Sequence, residues 1–139
     1  MLDGDETAGA LLAEVGAEEP AAGSAFSQAL RFSADRSTAW IDPRAATSLF
    51  YADCPPDAAA RAVELLRPDT ALNFALSPTA AEGKCTPSLD AAMRHDHTWP
   101  PSLAEKFAQR CTNVVSIDTG HSPYLSAPDL TASIIRDRL

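Results

Sequence analysis

Apolar residues in the first part of the chain recur at intervals of three and four, which is the spacing of an amphipathic helix. The first such run extends from Ala8 to Val15, and Asp3 or Asp5 can cap its first turn, where the helix dipole favours acidic groups. A second run of this kind spans residues 21–32. The pattern therefore predicts two short helices at this end of the chain.

Proline residues delimit the next predicted helices. Asp42 followed by Pro43 is a typical helix start, because the carboxylate accepts hydrogen bonds from first-turn amides and proline fits the first helical position. Further helices are predicted over 56–66, where Pro68 stops the run, and over 69–74. The first two thirds of the chain are thus predicted to be helical.

The last third combines helical and strand patterns. β-Branched and apolar residues over 113–117 predict a strand. Ser102 and Glu105 form a capping box, which predicts a helix from Ser102 to about Cys111. A closing helix is predicted over 126–139, with basic residues near its C-terminal end.

The stretch over 88–94 has helical propensity, because Ala and Met dominate it and β-branched residues are absent. A strand there would nevertheless form a parallel crossover with the helix from Ser102 and the strand over 113–117. The loops after both strands would then leave the sheet at the same edge. We therefore predict a strand over 88–94, against its propensity.

Composition places the chain near the limit of what can bury a sufficient core. Leu, Ile, Val and Phe together contribute 27 of 139 residues, Ala alone contributes another 27, and the net charge is −8. The length suits one domain, and no internal repeat is visible. The chain is therefore either helical and packed through Ala, or part of a larger protein.

Several classes of protein are disfavoured. No apolar stretch approaches the roughly 18 residues of a membrane helix, and the first residues resemble no export signal. Cys54, Cys85 and Cys111 are widely spaced, which favours reduced thiols and a cytoplasmic protein. The eleven Lys and Arg residues are scattered, so a nucleic-acid partner is not expected.

Asp96 and His121 are the candidate chemical groups. Asp96 follows the predicted strand over 88–94, and His121 follows the strand over 113–117. Because neighbouring strands lie about 5 Å apart, the two side chains can meet at the shared edge. A carboxylate bonded to one ring nitrogen fixes the tautomer, and the other nitrogen can then take a proton from a nucleophile. The pair predicts a carboxylate–imidazole dyad.

Other interpretations of these residues remain open. A histidine after a strand is often a surface or core residue, and Asp96 could be an ordinary loop carboxylate. In the sequence His95-Asp96-His97, the two histidines would point the same way along an extended segment and could hold a metal, but no third ligand is evident. We therefore predict no metal and no cofactor.

A serine nucleophile would need a strained turn, commonly G-x-S-x-G. Glycines stand at positions 4, 9, 16, 23, 83 and 120, and no two of them are four apart. The nucleophile elbow is therefore absent from this chain.

Four segments resemble the esterase and hydroxynitrile-lyase branch of the α/β-hydrolases. WIDPRAATSLFYADCPPDAAARAVELLRP at 40–68 is similar to that branch's cap segment. RHDHTWPP at 94–101 and IDTGHSPYLSAPDL at 117–130 are similar to its acid and histidine loops. The opening at 1–16 is similar to the segment just after the sixth core strand. The resemblance covers nearly the whole chain, but only the C-terminal half of the family's fold.

The resemblance implies an α/β fold, namely the C-terminal part of an α/β-hydrolase. It divides the chain into a core helix at 1–16, a helical cap or lid at 17–80 and a C-terminal core segment at 81–139. The last segment would carry the final two parallel strands with their helices, and with them the acid and histidine loops.

The resemblance also implies that Asp96 is the acid of a catalytic triad and that His121 is its base. The family's serine precedes the acid and the histidine, so the order here is consistent with a nucleophile upstream of Met1. The complete protein would be a serine esterase acting on a small carboxylic ester. The chain alone is expected to be inactive, because the serine and the oxyanion-hole amides match nothing in it.

Aromatic and thiol side chains are candidates for contact with the substrate, although packing is the alternative role for each. These candidates are Trp40, Phe50, Tyr51, Cys54 and Trp99.

Two further functions remain as alternatives. The chain could be a non-catalytic helical binding module derived from a hydrolase. The complete protein could also be a lyase, but the cyanohydrin-cleaving members have a lysine after the histidine, whereas Ser122 follows His121 here. The predicted partner is a small-molecule ester, with no nucleic acid and no membrane, and the oligomeric state is left open.

Overall fold

The computed structural model describes residues 6–18, 24–76 and 87–137, which form helices, a small antiparallel sheet and a parallel strand pair. Over these ranges the elements follow in this order: α1 (Ala8–Glu18), α2 (Ser24–Ala29), β1 (Leu30–Phe32), β2 (Thr38–Ile41), α3 (Pro43–Phe50), α4 (Pro56–Leu65), β3 (Asp69–Thr70), a 3-10 turn (Ala71–Phe74), β4 (Leu89–Met93), α5 (Pro101–Ala108), β5 (Asn113–Ile117), α6 (Pro123–Ser126) and α7 (Pro128–Arg136).

The parallel pair of β4 and β5 confirms the strand that was predicted against its propensity. Leu89 pairs with Asn113, and the register continues to Met93 opposite Ile117. All five residues of β4 are half-buried, so the strand packs through small Ala side chains rather than through β-branched ones. Tertiary pairing has outweighed local preference here.

An antiparallel sheet of β1, β2 and β3 was not predicted. The predicted helix over 21–32 is wrong over its last three residues, because α2 ends at Ala29 and the chain continues as β1. Leu30 pairs with Ile41 across a tight turn in which Arg36 has φ 57°. Asp35 accepts hydrogen bonds from both neighbouring serines, Ser33 and Ser37, and this local polar turn redirects the chain.

The proline-based helix starts are largely confirmed. The Asp42 Oδ1 atom accepts from the Arg44 amide at 3.0 Å, and Pro43 occupies the first helical position of α3. α4 ends at Leu65, one residue before the predicted end. The predicted helix over 69–74 is instead the short strand β3 followed by a 3-10 turn.

The capping box at Ser102 is wrong. α5 begins at Pro101 with Pro100 as its N-cap, and no side chain caps it. Proline already has the backbone φ of a helix and lacks an amide that needs capping, so the helix begins before Ser102. The predicted closing helix over 126–139 is also divided, because Pro128 starts α7 after α6 has ended.

Helix α1 packs against α5, and this contact holds the main buried cluster of the described residues. Leu11 and Leu103 are 3% and 1% exposed, and Leu12, Trp99 and Phe107 pack around them. Ion pairs flank this contact and join the same two parts of the chain, namely Lys106 with Glu14 and Arg110 with Glu6. The first helix is thereby attached to the parallel strand pair.

Large apolar side chains remain exposed on the elements of the described chain. Val114 on β5 and Ile135 on α7 are among the large apolar residues left about half exposed. The parallel strand pair is thus incompletely covered, as expected for a chain with few large apolar side chains.

The structure also bears on the predictions about membrane-spanning helices and about the cysteines. Within the described ranges, no helix has the length and apolar character needed to cross a bilayer. Cys54 and Cys111 are free thiols, and Cys85 lies outside the described residues.

Leu103→Ala is expected to lower the free energy of unfolding by about 2–5 kcal/mol, because it leaves a cavity between α1 and α5. Urea unfolding of the protein measures this loss. Leu130→Ala removes the same atoms from a side chain that is 45% exposed, and it should change stability by about 0.5 kcal/mol or less. Equal losses of unfolding free energy in the two variants would contradict a buried core between α1 and α5.

Candidate active site

The two candidate loops leave the parallel strand pair at the same edge. β4 ends at Met93 opposite Ile117, the last residue of β5. Backbone hydrogen bonds then continue past both strands, from the Arg94 amide to the Ile117 carbonyl and from the His95 amide to the Thr119 carbonyl, each at 3.0 Å. The loops are therefore held in register up to the residue before Asp96.

Asp96 and His121 form the predicted hydrogen bond. The Asp96 Oδ2 atom lies 3.0 Å from the His121 Nδ1 atom, and the Asp96 Oδ1 atom accepts from the Thr98 amide at 2.7 Å. The Asp96 side chain is 9% exposed and that of His121 is 26% exposed. Within the described part of the chain, no hydrogen bond is made to the His121 Nε2 atom. This nitrogen can therefore take a proton from a nucleophile.

Opposing effects act on the Asp96 carboxyl. Burial alone would raise its pKa, but the hydrogen bonds from the His121 ring and the Thr98 amide outweigh burial, and the pKa lies below its ordinary value. Asp96 is thus an ionised carboxylate at neutral pH. A carboxylate in this position holds the imidazole in one orientation and stabilises its protonated form.

The end of α3 supports the acid loop. Thr98 is almost fully buried, and its hydroxyl donates to the Leu49 carbonyl at 2.9 Å. The ring of Phe50, the next residue, lies 5.1 Å from the His121 ring at an interplanar angle of 39°. This helix end therefore contacts both sides of the dyad.

The connection between α3 and α4, residues 51–55, contacts the histidine loop. The amide of Gly120 donates to the Asp53 Oδ2 atom at 2.6 Å. The Cys54 Sγ atom lies 3.9 Å from the carbonyl oxygen of Ser122. The residues on both sides of His121 are thus held by this connection. Asp53 was not predicted from the sequence, although it stands directly before the candidate Cys54.

Three of the predicted substrate-contact residues, Phe50, Tyr51 and Cys54, lie beside the histidine loop. Tyr51 is buried, and burial raises its pKa. Burial, with the neighbouring Asp53 charge, also raises the pKa of the Cys54 thiol. Cys54 is therefore a protonated thiol at neutral pH and a poor nucleophile.

Of the other two predicted contact residues, Trp99 belongs to an aromatic cluster, whereas Trp40 lines a separate cavity. Trp99 packs on Phe26 with ring centroids 5.7 Å apart, and Phe26 in turn packs on Phe50 at 6.5 Å. Trp40 lines a mainly apolar cavity of about 370 Å³ whose lining includes Phe26 but neither Asp96 nor His121. The structure thus separates Trp40 from the dyad.

A second acid–histidine pair lies at the same strand ends. The His95 Nε2 atom is 2.8 Å from the Asp118 Oδ1 atom, and these side chains are 60% and 76% exposed. Because both side chains are exposed, solvent competes with this pair. Asp96 and His121 differ from it in being more buried. Across the described residues, no three His, Cys, Asp or Glu side chains are grouped so that they could hold a metal ion.

The solved structures described below are longer than this chain. No protein-family model and no curated protein matches the sequence. The structure is similar to polyneuridine aldehyde esterase, with a TM-score of 0.75 at 14% identity, over 99% of this chain and 58% of that one. A pyrethroid hydrolase from Sphingobium faniae matches with a TM-score of 0.67 at 18% identity, over 83% of this chain and 48% of that one.

A methylesterase from Arabidopsis also matches, with a TM-score of 0.61 at 18% identity, over 73% of this chain and 46% of that one. The chain therefore spans about half the length of these proteins. At such identities the likeness establishes the fold, which is the α/β-hydrolase fold. The chain forms the C-terminal part of that fold.

Asp96→Asn is expected to remove a pH-dependent part of the stability. Because the folded-state pKa of Asp96 is lowered, its ionised form stabilises the fold above the unfolded pKa of about 4, and this contribution is lost as the pH falls through the folded value. Urea unfolding of both proteins across the acid range should show their difference shrinking as the pH falls.

Asp57→Asn, which removes the same charge from an exposed position on α4, is the control and should change stability less. A difference between Asp96→Asn and the parent that is the same at about pH 3 and at neutral pH would contradict a lowered pKa at Asp96.

Proposed function

We propose that this chain supplies the acid and the base of a serine esterase, and that the complete protein hydrolyses a small carboxylic ester. The observation that carries this proposal is the contact between the buried Asp96 carboxylate and the His121 Nδ1 atom. The pair lies at the ends of two parallel strands in an α/β-hydrolase fold, and the His121 Nε2 atom is available for proton transfer.

In this mechanism Asp96 orients His121, and the His121 Nε2 atom takes the proton of a serine hydroxyl as the serine attacks the ester carbonyl. The same nitrogen returns the proton to the leaving alcohol, and it then activates the water that releases the acid. The serine and the oxyanion-hole amides would come from the part of the fold that this chain does not contain, since the chain has no G-x-S-x-G turn.

The residues between α2 and the 3-10 turn are proposed to act as the cap over the site. They contact the dyad through Phe50 and reach both loops by hydrogen bonds, from Thr98 to the Leu49 carbonyl and from Gly120 to Asp53. Phe50 and Tyr51 would form an apolar wall for the substrate, with Cys54 and Trp99 beyond them. An ester with a small apolar or aromatic group fits such a wall.

Ester hydrolysis is favoured over cyanohydrin cleavage by the residue after the histidine. Ser122 is fully buried, and its hydroxyl lies 3.3 Å from the Tyr124 hydroxyl, so no cationic side chain stands at this position to receive cyanide. Release of cyanide from mandelonitrile by the complete protein would support the lyase instead.

The complete protein is expected to hydrolyse p-nitrophenyl acetate, and His121→Ala is expected to lower kcat by about 10,000-fold, because the general base is lost. Asp96→Asn should lower kcat by a similar order, since the imidazole loses its orienting carboxylate. His97→Ala is the matched control, because His97 is an exposed histidine directly after Asp96 and should retain activity.

A serine-reactive fluorophosphonate provides a second measurement. It should label the complete protein at a serine outside these 139 residues, and it should not label the 139-residue chain. Saturable hydrolysis by the repurified 139-residue chain would contradict a nucleophile from elsewhere in the fold. A folded complete protein that neither hydrolyses esters nor takes the label would favour a binding module.

A further inference from the structure

The connection between α3 and α4 places a carboxylate against the backbone of the histidine loop. The Asp53 Oδ2 atom accepts from the Gly120 amide at 2.6 Å, and Gly120 immediately precedes His121. Gly120 is buried, and a buried amide is costly to leave without an acceptor. The Asp53 carboxylate is therefore the group that satisfies this amide, across 67 residues of sequence.

The Asp53 carboxylate lies close against the Cα atom of Gly120. A Cβ atom added to Gly120 would lie 2.7 Å from the Asp53 Oδ1 atom and 3.0 Å from its Cγ atom. No side chain larger than hydrogen fits at this position unless the carboxylate moves. The space for the histidine loop is thus defined by the carboxylate of a residue that belongs to another part of the fold.

The same segment also holds the acid loop. The end of α3 accepts the buried hydroxyl of Thr98 at the Leu49 carbonyl, and Thr98 in turn donates its amide to Asp96. One continuous segment, from Leu49 to Asp53, therefore fixes the loops of both members of the dyad. A shift of this segment would change the distance between Asp96 and His121.

We propose that Asp53 is a positioning residue for His121, which holds the histidine loop in the place where the ring meets Asp96. This inference rests on the proposed esterase function. Asp53 does not touch the reacting atoms, and it acts through the Gly120 backbone. It couples the proposed cap to the dyad, so that the base is oriented only when the connection between α3 and α4 is in place.

The charge state of Asp53 agrees with this role. Burial tends to raise its pKa, but the hydrogen bond from the Gly120 amide, with its other hydrogen bonds, lowers it, and the net pKa lies below the ordinary value. Asp53 is therefore ionised at neutral pH, and a charged acceptor makes a stronger bond to the amide than a neutral one.

The test compares Asp53→Ala with Asp53→Asn in the complete protein, using p-nitrophenyl acetate. Asp53→Ala should lower kcat by about 10- to 100-fold and leave KM within about twofold, because a displacement of the base by about 1 Å costs this much in rate. Asp53→Asn keeps an acceptor oxygen and should recover most of kcat. Asp57→Asn, on an exposed turn of α4, should match the parent enzyme.

A measurement that needs no activity separates this proposal from the esterase proposal. The proton shared by the His121 Nδ1 and Asp96 Oδ2 atoms should give a low-field proton NMR signal that is absent from His121→Ala. Asp53→Ala should broaden or remove this signal, and Asp53→Asn should retain it. The signal reports the geometry of the dyad even in a protein without esterase activity.

Gly120→Ala tests the same contact from the other side and does not depend on whether Asp53→Ala folds. Its methyl group should displace the carboxylate and remove the signal, and adding Gly120→Ala to Asp53→Ala should cost little more, since the two changes break one interaction. An unchanged signal with kcat within about twofold of the parent, in folded Asp53→Ala or Gly120→Ala, would overturn the positioning role. Asp53→Asn behaving like Asp53→Ala would overturn it as well.

Discussion

The parallel register of β4 with β5 is the constraint on which the candidate site depends. A strand pair places the residues beyond its ends according to register, and Met93 stands opposite Ile117. Asp96 and His121 lie three and four residues beyond these ends. A shift of β4 by one residue would turn its side chains to the other face and separate the two groups. The dyad is therefore a consequence of backbone pairing, and β4 achieves that pairing with small, half-buried side chains.

A lowered pKa does not by itself identify a functional group in this molecule. The pKa of Asp35 is lowered to about 2 by hydrogen bonds from Ser33 and Ser37, but Asp35 lies in an exposed turn between β1 and β2. Asp96 has its pKa lowered although burial opposes the ionised form. The carboxylate of Asp96 is thus ionised in a buried place, where the hydrogen bonds from His121 and Thr98 stabilise it.

Much of the C-terminal part could be predicted from the sequence, because its signals are local or follow from one pairing rule. The β-branched run over 113–117 and the loops around Asp96 and His121 are such signals. The antiparallel sheet was not predictable in this way. β1 and β3 are three and two residues long, which is too short for a recognisable strand pattern, and β3 pairs with β2 far back in the sequence. Asp53 was missed for the same reason, since nothing local connects it with Gly120.

The contacts that orient Asp96 and His121 lie within the described chain, whereas the serine of the proposed mechanism is expected from outside it. Asp96 bonds His121, Thr98 ties the acid loop to Leu49, and Asp53 holds the histidine loop. Proton transfer needs the base to be oriented before the nucleophile is activated, and orientation established by these contacts lowers the cost of reaching the transition state. In the proposed mechanism, the orientation of the base is therefore independent of the supply of the nucleophile. It follows that the geometry of Asp96 and His121 can be measured independently of ester hydrolysis.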